Sequence, residues 1–188
     1  MTEFPERNAF GKSGQDILIN FLERHFGYVF EAGERNGNIL NTDLIEEIEN
    51  CEYVPPTLKR GARLKFKRQD KEYILAMPDV LMSRNSNLGF YWIEAKRHQR
   101  HYPKLIINKN SFDDYKTLYE KFTRQLFYVM CIVPEQDGFV DVYHCEFGDL
   151  LNQEGKQEVI NENDVYSWML EDVMKKLNKY PINVLKYE

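Results

Sequence analysis

The chain has 188 residues, 43% of them hydrophobic and 14% aromatic, with a formal net charge of −5. That length and apolar content suit one domain, 1–188, with a sizeable core, and they exclude a disordered chain. No apolar run approaches the ~20 residues that span a bilayer, and the opening stretch lacks the apolar centre of a secretory signal, so no membrane association is expected. Cys51, Cys131 and Cys145 are odd in number and widely spaced, which suggests a reducing, cytoplasmic setting and gives no zinc pattern. The charge is segregated. Residues 1–58 carry 4 Lys/Arg against 11 Asp/Glu, residues 59–133 carry 16 against 7, and residues 134–188 carry 5 against 12. A basic middle between acidic flanks is either a nucleic-acid footprint or ordinary surface charge.

Along the chain, Ile17, Leu18, Phe21 and Leu22 predict an amphipathic helix over 9–25, stopped near Gly27. A short strand follows at 28–33, then a short acidic helix at 41–49 capped by Asn41 or Thr42. The paired prolines of 53–62 read as a loop. Residues 63–83 read as a hairpin turning at 69–71, its first arm alternating and its second, 72–82, apolar enough for a central strand. Residues 89–96 form the next strand, and 97–110 a basic irregular segment. A helix is expected from Ser111, with Asp114 completing a capping box and Phe112, Tyr115, Leu118, Tyr119 and Phe122 as its apolar core stripe. Residues 125–133 suit a strand covered on both faces, with Cys131 as a small core residue, and 138–147 another strand. Residues 163–181 read as a helix capped by Asn163, and 182–187 as an edge strand. The sum is a mixed α+β class: a central mixed sheet flanked by helices, an α-β-β-β-α-β core over about 9–133, and a C-terminal β-α extension over 134–188.

The chemistry concentrates between Met77 and His101. Pro78-Asp79 ends one predicted strand, and Glu94-Ala95-Lys96 closes the next, directly after the apolar Phe90–Ile93. Residues i and i+2 of a strand share a face, so Glu94 and Lys96 point together and Ala95 points away. Pairing of the two strands would set Asp79 beside Glu94. Two carboxylates make a hard oxygen site suited to Mg²⁺ or Mn²⁺, and a lysine beside it can orient a water or neutralise charge on a phosphate. The bland alternative is a solvated strand end beyond the buried part of the sheet.

These residues resemble the PD-(D/E)xK nuclease superfamily, whose restriction-endonuclease-like fold has an α-β-β-β-α-β core. The resemblance covers about 9–133. It implies a metal-dependent deoxyribonuclease in which Asp79, Glu94 and the Ala95 carbonyl hold Mg²⁺ (or Mn²⁺) and Lys96 assists the attacking water. It also implies a glutamate on the first helix, where this chain has Gln15, a weaker ligand that puts a second metal and full activity in question. The alternative is a catalytically weak or inactive module of the same fold that binds nucleic acid or a protein.

Around this motif, Arg97, His98, Arg100, His101 and Lys104 could meet phosphates, with Tyr102 stacking on a base, or could form a solvated basic loop. The basic block that includes Arg63, Lys65, Lys67 and Lys71 could track a nucleic-acid backbone, or could protect an exposed edge hairpin. For the acidic segment 134–188, a partner contact, edge cover and a homodimer contact remain open.

Overall fold

The computed structural model describes residues 16–22, 29–30, 33–35, 38–40, 51–57, 61–83, 90–97, 104–121, 126–134 and 139–181. They begin with helix α1 (16–22) and strands β1 (Val29–Phe30), β2 (Gly33–Arg35), β3 (Asn38–Leu40) and β4 (Glu52–Val54). Strands β5 (Arg63–Arg68), β6 (Lys71–Ala76), β7 (Val80–Ser83), β8 (Phe90–Arg97) and β9 (Lys104–Asn108) lead to helix α2 (Lys109–Lys121). Strands β10 (Leu126–Pro134) and β11 (Phe139–Glu146), helix α3 (Phe147–Leu151), strands β12 (Lys156–Ile160) and β13 (Asn163–Met169), the single turn α4 (Leu170–Val173) and strand β14 (Lys175–Pro181) complete the chain. The class is mixed α+β, as the sequence predicts. No helix among the described residues is long and apolar enough to cross a membrane.

Six strands form the central sheet in the order β1-β7-β8-β10-β11-β14. Only β8 and β10 pair in parallel in it. A parallel pair needs a long crossover, and the segment containing β9 and α2 supplies it. Both faces of the sheet are covered, which is why β10 is apolar without alternation. On one face α1 buries Leu18, Ile19, Phe21 and Leu22 against Val80, Ile93, Met130, Ile132, Val140 and Val142. On the other, Trp92, Phe127, Val129, Cys131 and Cys145 meet Phe112, Tyr115 and Leu118 of α2 and Phe147 and Leu150 of α3. The small sheets β4-β5-β6 and β12-β13-β9 close that second core with Leu64, Phe66, Leu75, Leu105, Ile107 and Trp168. Each of these buried apolar side chains contributes about 1.5–3 kcal/mol.

The hairpin at 63–76 forms as expected. Its two-residue turn, Gln69-Asp70, has both φ angles positive (49° and 60°), which matches the twist of the flanking strands. Several other expectations are corrected. Residues 72–82 are not one central strand. Pro78 has no N–H to give a ladder, and the chain leaves the β4-β5-β6 sheet at Ala76 and joins the central sheet at Val80. Tyr53 and Val54 belong to β4, paired with Leu64 and Arg63, rather than to a loop. Lys104–Asn108 is strand β9 because Leu105 and Ile107 alternate inward.

Helix α2 starts at Lys109, two residues before the expected cap. The Asn108 side chain accepts the Asn110 N–H at 3.0 Å, and Asp114 instead accepts the Ala76 N–H at 2.8 Å and lies 3.5 Å from Arg63. The helix expected over 163–181 is β13, the turn α4 and β14. Asn161 and Glu162, with φ of 49° and 66°, turn β12 into β13, and Asn163 donates to the Asn161 carbonyl instead of capping a helix. The supposed β-α extension therefore builds the fold itself: β11 and β14 finish the central sheet and β13 pairs with β9. The acidic helix at 41–49 and the strand at 182–187 lie outside the described residues.

Candidate active site

Pro78 ends one sheet and Val80 begins pairing in another, so Asp79 sits at the mouth of β7. Val80 opposes Ile93 in the antiparallel register. The same register carried back one residue sets position 79 opposite Glu94 on the same face. The Asp79 carboxylate (Oδ2) accepts the Ala95 backbone N–H at 2.9 Å. Asp79 and Glu94 lie within hydrogen-bonding reach of each other. The Lys96 ammonium, from the same face of β8, donates to Glu94 Oε1. From α2, the Tyr115 hydroxyl donates to Glu94 Oε2 at 2.6 Å. The Tyr115 ring is held edge-on by Phe127, with centroids 5.3 Å apart, and by Phe147 at 6.2 Å. Glu94 is 4% exposed, while Asp79 and Lys96 keep partial access to solvent. The solvated strand end that would make the motif trivial is therefore not what the chain builds.

The electrostatics follow from two carboxylates and one ammonium in a poorly solvated corner. Loss of solvent and the charge of Glu94 push the Asp79 carboxyl up to about 7, against the opposing pull of Lys96 and the Ala95 N–H. The lysine itself feels burial, which lowers its pKa, but Glu94 and Asp79 outweigh burial and raise it, so it stays an ammonium. Burial and the same two carboxylates raise the Tyr115 phenol well above its ordinary range and keep it a donor. Cys131, the parallel-register partner of Lys96, is buried, and burial raises its thiol as well.

Two carboxylates this close attract positive charge, which the Lys96 ammonium supplies in part. The donor set is hard oxygen, and Mg²⁺ is commonly held by one or two carboxylates plus waters, so Asp79 and Glu94 fit such an ion. Among the described residues no group of three or more His, Cys, Asp and Glu converges on one point.

The remaining candidates separate in space. Arg97 follows Lys96, so its side chain leaves on the opposite face, and burial lowers its pKa. Lys104 donates to Glu158 at 2.9 Å in a cluster with Ser167, away from the carboxylates on β7 and β8. Lys65 donates to Glu52 at 2.9 Å, which raises its pKa, and Lys67 stands 3.8 Å from Asp70 at the hairpin tip. Gln15, His98, Arg100 and His101 lie outside the described residues. The sequence pattern gives Tyr115 only a core role. A signal for more is present, because a buried tyrosine in a phenylalanine stripe still needs an acceptor for its hydroxyl. No known family model matches the sequence, and a comparison with curated proteins finds no significant relative.

Proposed function

We propose that the chain is a divalent-metal-dependent nuclease that hydrolyses phosphodiester bonds of DNA, built on the plan of the PD-(D/E)xK enzymes its motif resembles. The observation that carries this reading is the convergence of Asp79 and Glu94, from two neighbouring strands, with the Lys96 ammonium on Glu94. The order α1, β1, β7, β8, α2, β10 also supports it, since it repeats the α-β-β-β-α-β core with β2 to β6 inserted.

Asp79 and Glu94 would hold Mg²⁺ or Mn²⁺, and the resemblance adds the Ala95 carbonyl. When bound, the ion supplies Lewis acidity toward the phosphate and lowers the pKa of a water. Tyr115 fixes the orientation of Glu94. The lysine, kept charged by its two carboxylates, stands where it can orient a water and offset charge on the phosphoryl oxygens. The apolar wall of Trp92, Phe127 and Phe147 keeps solvent from the inner side and strengthens each of these interactions.

A second reading, a nuclease-like module that binds DNA without cutting it, is favoured by one observation: both Glu94 oxygens already have donors inside the chain. Incubation with linear, circular, branched and single-stranded DNA in Mg²⁺ or Mn²⁺ separates the two. Cleavage that disappears in Asp79→Ala and in Lys96→Ala is the expected result. Binding without cleavage in any metal would establish the module, and cleavage that survives both substitutions would place the chemistry elsewhere.

A further inference from the structure

The structure divides the basic block of the sequence between the two faces of the β5-β6 hairpin. Lys65 and Lys67 stand on one face, opposite Ile74 and Glu72 in the register, and each already has an acid, Glu52 at 2.9 Å and Asp70 at 3.8 Å. Lys71 stands on the other face, in line with Tyr73 and the buried Leu75. Helix α2 packs along β6 on that face. Its Asp114 accepts the Ala76 N–H at 2.8 Å, and Lys121, two turns further along the same side of the helix, reaches Tyr73. The two spans agree, since both the helix from Asp114 to Lys121 and the strand from Ala76 back to Tyr73 cover ~10 Å. Phe66 stacks on the Tyr73 ring with centroids 5.2 Å apart, and the ammoniums of Lys71 and Lys121 stand 5.3 Å and 5.8 Å from the same ring centre. They are therefore no more than about 11 Å apart. The electron cloud of the ring offsets part of their mutual repulsion. Both lysines are exposed, and neither forms an ion pair with a described residue.

We propose that Lys71 and Lys121 form a phosphate-contact surface for duplex DNA, outside the Asp79/Glu94/Lys96 site. The inference rests on the nuclease reading for the identity of the polyanion. Lysine ammoniums act as point charges, which suit phosphate oxygens without demanding a planar partner. At a rise of ~3.4 Å per nucleotide, two ammoniums within about 11 Å meet phosphates no more than about three steps apart on one strand. Such contacts fix where the duplex lies and carry no sequence information. Tyr73 has Phe66 against its ring and both ammoniums beside it, so it orders the cations and takes no base. Helix α2 carries Lys121 and also Tyr115, ~9 Å away along its axis, so one element positions this surface and Glu94.

The test is fluorescence anisotropy with a labelled DNA duplex of about 20 base pairs, in EDTA to prevent metal-dependent cleavage, over about 50–200 mM salt. Lys71→Gln and Lys121→Gln should each lower the log–log salt slope by ~0.9, and the double variant by about 1.8. Across that range of salt the double variant then loses roughly twelvefold less affinity than the parent. Lys71→Arg combined with Lys121→Arg keeps both charges and should keep the parent's slope, which separates loss of charge from loss of fold. Lys65→Gln combined with Lys67→Gln makes the same change in net charge on the opposite face of the hairpin and should leave the slope unchanged. An unchanged slope in the double Lys71/Lys121 glutamine variant overturns the surface. So does an equal effect of the Lys65/Lys67 pair, no binding of the duplex at the lowest salt, or equal affinity for polyglutamate of matched charge. Cleavage by the unsubstituted chain in Mg²⁺ is scored separately. Binding with these signatures but no cleavage would remove the nuclease reading alone, and cleavage with an unchanged slope would remove the surface alone.

Discussion

Replacing Asp79 with asparagine should stabilise the metal-free protein, and by more at higher pH. The carboxyl is raised from 3.8 to about 7 in the fold, chiefly by loss of solvent and by Glu94. Between those values the folded chain binds a proton that the unfolded chain releases. The contribution is therefore fully present below about pH 4 and is lost as pH rises through about 7. At 1.36 kcal/mol per pH unit the rise from 3.8 to about 7 sets a ceiling of about 4 kcal/mol, more than half of which falls between pH 5 and pH 8. The introduced amide keeps an oxygen for the Ala95 N–H and carries no charge, so Asp79→Asn removes the repulsion without emptying the position. Urea unfolding in EDTA at pH 5, 6, 7 and 8 measures the effect as the stability difference between variant and parent. That difference should grow by about 2–3 kcal/mol across the range. A difference that stays flat would mean that Asp79 and Glu94 do not crowd each other, and would remove the physical basis for a cation site there.

Tyr115→Phe keeps the ring and deletes only the donor to Glu94 Oε2 at 2.6 Å. It should cost about 1–3 kcal/mol in thermal or urea unfolding, and an unchanged midpoint would show that Glu94 does not depend on this hydroxyl. A Cβ at Gly155 would stand 2.5 Å and 2.6 Å from atoms of the Trp168 indole, which is packed in the second core. Gly155→Ala should destabilise the chain by about 1–3 kcal/mol through overpacking, and wild-type stability would show that the 152–155 connection shifts at no cost.

Several elements were legible because their signals are local. The Phe112, Tyr115, Leu118 stripe, the alternation of Leu64 and Phe66, and the unbroken apolar run of β10 each reflect a burial pattern that a short window contains. The site motif was legible for a similar reason, since Glu94 and Lys96 share a strand and period two fixes their common face. The stretch 163–181 was not legible. Val165, Trp168, Met169 and Val173 fit a helical period, while Val165 to Trp168 also suit a strand, and only the pairing partners β9 and β12 decide between them.

The sequence by itself determined the composition of the core, the α+β class and the face on which Glu94 and Lys96 lie. These depend on side-chain type and on a fixed backbone period. Tertiary structure decided what stands opposite that face. The break at Pro78 moves Asp79 into a different sheet from Ala76, the crossover through α2 brings the Tyr115 hydroxyl onto Glu94, and the pairing of β11 with β14 lays Lys176 over Tyr143. Each of these contacts joins residues from 15 to more than 30 positions apart along the chain. No local propensity encodes such a contact, because the free energy that selects it comes from burying surfaces contributed by separate segments.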